Sequence, residues 1–199
     1  MTELLRSRKV FVASLHRCGT QSVHRLLCDL GLKSIHWPKF YDGIDLEEEI
    51  RGREADRWHV SYSLNKVLYE HDAVSDVPIC GIYDVLARRF PSSQFIVLHR
   101  PAEDWIRSVR RHIGSRDFDP YEKVVYTRYL HDLPQKISDV SDGSLKAVME
   151  QHAAEVYEFF RGTGQLLMTD LGSPSVGRDI CEFLGRVPIP FMKVDYQPT

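Results

Sequence analysis

The 199-residue chain has no apolar run near the ~20 consecutive residues that a membrane-crossing helix needs. It has no excess of either charge: 26 Lys and Arg stand against 28 Asp and Glu, a formal net of −2. Such balance excludes a protein whose whole surface coats nucleic acid or an anionic membrane, so any anion must be met by a local site. Cysteine is sparse. Cys18, Cys28, Cys80 and Cys181 have no Cys-x-x-Cys spacing and no His partner pattern, which argues against a zinc knuckle or a small disulfide scaffold and fits reduced thiols in a cytoplasm. The stretch "RSRKVFVASL" starts like a signal peptide, but its apolar run breaks at Ser14 and no clear cleavage site follows. It reads as a strand, and the expected location is cytoplasmic. Repeats, low-complexity tracts and linkers are missing too. With 43% hydrophobic and 27% charged residues, the chain suits one core and a single domain over 1–199.

What is present alternates in period. "KVFVAS" (9–14) is a β-branched and aromatic run fit for a strand buried on both faces. Val23, Leu26, Leu27 and Leu30 then fall on one helical face, with Gly31 placed to end it. "LKSIHW" predicts a second strand, Pro38 to Asp45 a loop, and "DLEEEIRG" a short helix. Residues 52–72 carry only a faint helical signal, from about Leu64. Ile79, Ile82, Tyr83, Leu86 and Phe90 mark a helix closed by Pro91, "QFIVLH" a strand, and "PAEDWIRSVRRHI" a helix with Pro101 near its start. A polar connector over 114–142 holds a helix around 121–131. A long helix from about Ser144 to Phe160, the strand "QLLMTDL", and a closing helix capped by Ser173 and Pro174 complete the chain. Strands alternating with helices predict a three-layer α/β fold, a central parallel sheet flanked by helices.

The turn "LHRCGT" between the first strand and helix is the chemical focus. A strand-to-helix turn at the carboxyl edge of a parallel sheet presents backbone N–H groups and a helix dipole to an anion. Gly19 permits close backbone approach, Thr20 and Ser22 add hydroxyls, and Arg17 brings a permanent forked charge. A bare "GT" needs only a tight bend; the strand and helix around it favour an anion cradle. The Walker pattern GxxxxGK[ST] is missing, because Gln21 and Ser22 follow "GT" and no Gly lies five residues before Gly19. A cysteine phosphatase loop would make Cys18 a nucleophile with Arg six residues on, where His24 stands.

"HRCGTQS" resembles the 5′-phosphosulfate loop of sulfotransferases that use 3′-phosphoadenosine 5′-phosphosulfate (PAPS). "HRPAEDWIRSVRRH" is similar to the second signature of that family, with Arg100 ending a strand and Ser108 eight residues on. "SIHWP", "SDVPICGIYDVLARRFPSSQFIVLHR" and "ICEFLGRVPIPF" extend the resemblance to a compact branch of the family, from about Lys9 to Phe191. The resemblance implies a P-loop-like fold and metal-independent, in-line transfer of a sulfuryl group from PAPS to an acceptor hydroxyl or amine, leaving adenosine 3′,5′-bisphosphate. By position, Arg17 would contact the phosphosulfate; Cys18, Gly19, Thr20, Gln21 and Ser22 would wrap the 5′-phosphate; Arg100 and Ser108 would take the 3′-phosphate. Cys18 and Gln21 depart from the family's usual hydroxyl residues. The Gly-rich basic segment of many members is not visible in "RVPIPFMKVDYQPT", which leaves Arg178, Arg186 or Lys193 as substitutes.

The resemblance places Asp76 in the cleft as leading candidate for the base that deprotonates the acceptor. His36 is second, with an intrinsic pKa closer to neutrality. Bland readings stand beside both: Asp76 as a helix cap before Pro78, His36 as a hydrogen-bonded core edge. His152 reads as a satisfied core histidine and Asp170 as an organiser of the turn after its strand. Trp37, Phe40, Tyr41 and Trp58 are candidates to line an acceptor pocket, with specificity set by 37–72 and 114–142. The expected partner is a small-molecule or glycan acceptor, without nucleic acid or a membrane span. Two other functions remain open: a nucleotide-binding regulatory module without turnover, and a P-loop phosphohydrolase or phosphatase.

Overall fold

The structure, a computed structural model, describes residues 8–194. The start of the signal-like stretch and the end of the segment "RVPIPFMKVDYQPT", 195–199, lie outside the described residues. The strand β1 (Val10–Val12) runs into the helix α1 (Thr20–Asp29), followed by β2 (Ser34–His36). The predicted loop contains a small antiparallel hairpin, β3 (Phe40–Tyr41) with β4 (Ile44–Asp45). Three short helices follow: α2 (Leu46–Ile50), α3 (Arg57–Ser63) and α4 (Asn65–Glu70). Next come β5 (Ala73–Ser75), a short 3-10 turn (Ile79–Gly81), α5 (Tyr83–Arg89), β6 (Gln94–His99) and α6 (Ala102–Ile113). The last part holds α7 (Pro120–Tyr126), α8 (Asp142–Phe160), β7 (Leu166–Asp170) and α9 (Val176–Phe183).

Five strands form one parallel sheet in the order β2-β5-β1-β6-β7, as the alternating periods predict. Side chains alternate between its two faces. Val10, Val12, Ile96 and Leu98 join Val23 and Leu27 of α1 and Ile180 of α9 in one apolar layer. Phe11, Ala13, Phe95 and Val97 join Trp105 of α6, Tyr126 of α7 and Val156 of α8 in the other. The chain leaves β1 with a neighbour on each side, so the crevice beyond its carboxyl end lies where the strand order reverses, the usual ligand position in such sheets. No helix among the described residues is long and apolar enough to cross a membrane.

The structure corrects several expectations. β5 was not expected, because "AVS" is too short to show a period, yet it lies fully buried beside β1. Likewise α3 emerges from a stretch without clean periodicity, capped by Asp56 accepting from the His59 N–H at 3.1 Å. The helix from Ile79 begins as a 3-10 turn, and α7 stops at Tyr126 rather than about 131. At the closing helix, Ser175 rather than Ser173 is the N-cap residue, and Pro174 precedes the helix. Asp170 does order its turn, accepting from the Gly172 N–H at 2.6 Å. His152 is buried against the edges of Tyr83 and Tyr129, but its Nε2 has no hydrogen-bond partner.

Trp105, wholly buried, ties α6 to the first turn by donating its indole N–H to the His16 carbonyl at 2.9 Å. Trp105→Ala should therefore cost about 3–5 kcal/mol of stability. Trp105→Phe should cost about 1–3 kcal/mol, through the unpaired carbonyl. Urea denaturation of both variants checks the difference.

Candidate functional site

The turn after β1 is built from conformations that most residues avoid. Arg17 has φ +64° and Gly19 φ +82°, and across the crevice Asp76 has φ +77°. Left-handed non-glycine residues cost of order 1–3 kcal/mol each and persist where surrounding contacts over-determine them. Those contacts are visible. Arg100 donates to the Arg17 carbonyl at 2.9 Å, Arg17 Nε donates to Ser108 Oγ at 3.2 Å, and Trp105 holds the carbonyl just before. At Gly19 an added Cβ would also meet the Leu171 side chain at 2.6 Å. The side chain of His16 is sealed beneath the turn, its Nε2 2.8 Å from the Tyr126 hydroxyl.

A cavity of about 600 Å³ opens over this turn. Arg17, Gly19, Thr20, Gln21, Ser22, His36, Asp76, Arg100 and Ser108 all line it, so nine of the ten predicted site residues come together. Cys18 is the exception. Its side chain is buried, its N–H donates to the Leu15 carbonyl at 3.2 Å, and burial pushes the thiol up to about 12. The first-turn amides of α1, at Thr20, Gln21 and Ser22, have no intrahelical acceptor, and these residues line the cavity. Asp104, Ser108 and Arg111 reach the same cavity from one face of α6, at i, i+4 and i+7. Arg111 is a cavity residue that the sequence reading does not single out, although it stands three residues after Ser108 on the same helical face. Arg110, by contrast, points away to Asp142 and the Ile137 and Val140 carbonyls. Of the three substitutes considered for the family's basic segment, Lys193 lines the cavity, and Arg178 and Arg186 do not. The neighbouring Val194 N–H donates to Ser22 Oγ at 2.9 Å, fastening that segment to α1. Among the described residues, four cations of this cavity face two carboxylates.

A second cavity of about 560 Å³ shares Arg17, Gln21, His36 and Asp76 with the first. Its other walls come from both segments expected to set specificity, through Trp37 and Lys39 on one side and Arg116, Asp119 and Glu122 on the other. Phe40, Tyr41 and Trp58 do not line it. Also on its wall are His16 and His112, which the sequence reading did not single out.

Asp76 sits where the cavities meet. Its Oδ2 accepts from Thr20 Oγ1 at 3.0 Å and lies 3.2 Å from His36 Nε2; its Oδ1 accepts from the Val77 N–H at 2.8 Å. Its side chain therefore caps no helix. His36 Nδ1 lies 3.0 Å from Ser75 Oγ. With a carboxylate at Nε2, this network assigns the proton to Nε2 and leaves Nδ1 as the acceptor of the Ser75 hydroxyl. Burial lowers the His36 pKa, with the Arg17 charge acting in the same direction and Asp76 against both. Burial likewise lowers His16 and His112 to about 4. Among the described residues, no group of three or more His, Cys, Asp and Glu side chains is arranged to hold a metal ion.

The strand order and the turn after the central strand define a P-loop-like α/β fold. It aligns with shikimate kinase from Bacteroides thetaiotaomicron at a TM-score of 0.53 and 14% identity, over 89% of this chain and 98% of that one. It also aligns with a sulfotransferase from Alicyclobacillus acidocaldarius at a TM-score of 0.52 and 17% identity, over 94% and 86% of the two chains. At these identities the likeness is one of fold. The family follows from sequence: a family model described as a sulfotransferase domain matches residues 9–197, and the chain belongs to that family. Over 119 residues it is 24% identical to the Ava biosynthesis cluster protein M of Aspergillus versicolor; this match takes in 51% of the chain and 42% of that curated relative.

The buried neutral histidines carry a signed prediction. Burial holds His16 near 4 and His152 near 3 in the fold, against about 6.5 when exposed. The unfolded chain therefore binds more protons below that ordinary value. The stability these groups contribute is complete above pH ~6.5 and is lost as pH falls through it toward the folded values. The urea midpoint should drop over that window, and His152→Leu should lower the slope of midpoint against pH.

Proposed function

We propose that the protein is a PAPS-dependent sulfotransferase, transferring a sulfuryl group in line to an acceptor hydroxyl or amine. The observation that carries this reading is the meeting of two cavities at Arg17 and Asp76, one cationic and floored by the α1 amides, the other opening toward the variable segments. The first has the volume of a nucleotide-sized site and four cations for a polyanion. Gly19, with no Cβ, lets the Leu171 side chain pack against the turn.

PAPS would bring a sulfuryl group already activated on a phosphate leaving oxygen. The residues of the chain then have three tasks. Arg17 and the α1 amides stabilise charge on the peripheral and bridging oxygens, which dominates catalysis of loose transfers. Arg100 and Ser108 hold the 3′-phosphate, with Arg111 and Lys193 adding charge around the nucleotide. Asp76 accepts the acceptor's proton. Its Oδ1 takes one hydrogen bond from the chain and keeps room for another, whereas both His36 nitrogens are engaged. His36 and Thr20 then act as positioning residues that fix the carboxylate. The kinase-like neighbour shows fold alone, and this turn lacks the Lys of a Walker loop. A phosphatase role would need a Cys18 thiolate, and the buried thiol with its raised pKa counts against it.

Arg17→Ala should lower turnover at saturating PAPS by about 10²–10³, near 2.7–4 kcal/mol of barrier. Asp76→Asn should lower single-turnover rate by about 10²–10⁴, and His36→Ala by less. Cys18→Ala should keep activity. Rapid-quench assays of folded variants check all four, and wild-type turnover by Arg17→Ala would remove the catalytic role of the turn. Binding of adenosine 3′,5′-bisphosphate with no sulfated product over a broad acceptor panel would leave a regulatory nucleotide module.

A further inference from the structure

The two cavities differ in charge, and the difference bears on the acceptor. In the donor cavity cations outnumber carboxylates. The second cavity is balanced: Arg17, Lys39 and Arg116 face Asp76, Asp119 and Glu122. Its rear charges are also paired in place. Lys39 Nζ lies 2.7 Å from the buried Glu47 carboxylate. The Arg116 guanidinium forks onto both oxygens of buried Glu122 at 2.7 and 2.8 Å, with Asp119 at 3.6 Å. The histidines lining it are neutral at pH 7, since burial depresses all three. At its wall stands Trp37, 46% exposed and held at φ +47°.

Each class of acceptor meets this wall differently. A carboxylate or amine would add a net charge to a wall whose own charges are already paired and balanced. A wholly apolar ring would strip water from Lys39, Arg116 and Asp119 and return no hydrogen bonds. An uncharged polyol suits both features. Lys39 and Arg116 keep N–H donors beyond those given to their carboxylates, and Asp119 on the same wall keeps lone pairs, so hydroxyls can meet them without disturbing the charge balance. The indole supplies an apolar platform with a polar edge.

We propose that the acceptor is an uncharged sugar, stacked on Trp37, with hydroxyls meeting Lys39, Arg116 and Asp119 while one hydroxyl faces Asp76. This rests on the PAPS reading of the adjoining cavity. In the step itself the acceptor oxygen forms a bond to sulfur, the bond from sulfur to the phosphate oxygen breaks, and the hydroxyl proton passes to Asp76.

The test uses the full chain with PAPS and four probe sets: neutral disaccharides (lactose and N,N′-diacetylchitobiose), glucuronic acid, 2-naphthol and benzylamine, with sulfated product read by mass spectrometry. Sulfation should favour the neutral sugars. Trp37→Ala should raise the sugar KM at least about tenfold with a smaller change in kcat, while adenosine 3′,5′-bisphosphate binds as in the wild type. Trp37→Phe should retain most of the sugar affinity, and sugar titration should change the tryptophan fluorescence of the wild type more than that of Trp37→Phe. Preference for glucuronate, naphthol or benzylamine overturns the proposal, as does a sugar KM indifferent to Trp37→Ala. Bound bisphosphate without any sulfated sugar overturns the acceptor class and leaves the donor site standing. Failure to bind bisphosphate removes the donor reading, and the acceptor assignment with it.

Discussion

The fixed reversal of the chain between β1 and α1 is the constraint on which the structure depends. Arg17 must hold a left-handed backbone for the α1 amides and its own guanidinium to share one crevice, and it cannot do so alone. Arg100 grips its carbonyl, Ser108 meets its side chain, and Trp105 anchors the residue before it. All three come from the end of β6 and from α6, so the second strand-turn-helix unit clamps the first. Residues that the family resemblance assigns to the far phosphate thereby also build the near one. The strain stored in the turn is held by a buried tryptophan rather than by the ligand.

The same logic governs the charges. The first cavity gathers Arg17, Arg100, Arg111 and Lys193 against two acids, giving a local positive field in a chain whose net charge is slightly negative. The three histidines on the second cavity's wall, lowered by burial, add no further positive charge beside it. His16 lies sealed against Trp105 and Tyr126, and its burial keeps it uncharged beside Arg17. A protonated imidazole there would repel the neighbouring Arg17 guanidinium. Membership of the sulfotransferase family and this charge partition are independent observations that agree.

Much of this arrangement was legible before any coordinates. Short-range signals carried the turn: an apolar strand, Gly19, and a helical period from Val23 place a cradle at one sheet edge, and Arg100 with Ser108 repeats the geometry. Cys18 was misplaced as a ligand residue because a loop letter does not reveal which way the residue points; the thiol turned inward and its amide turned to Leu15. β5 escaped notice because three residues buried on both faces show no alternation. Its position beside β1 is nevertheless what carries Asp76 to the crevice.

The sequence by itself determined the two strand-turn-helix units and the arginines that follow their strands, because these depend on periodicity and on residues a few positions apart. Only the tertiary structure decided that Asp76, His36 and Thr20 form one network, that Lys193 rather than Arg178 or Arg186 reaches the first cavity, and that the second cavity is electrically balanced. Those facts join segments far apart in the chain, brought together by a parallel sheet whose strand order no local pattern encodes. A pairing such as Lys39 with Glu47, or Arg116 with Glu122, changes a cation into a neutral wall, and that difference is visible only once the partners stand side by side.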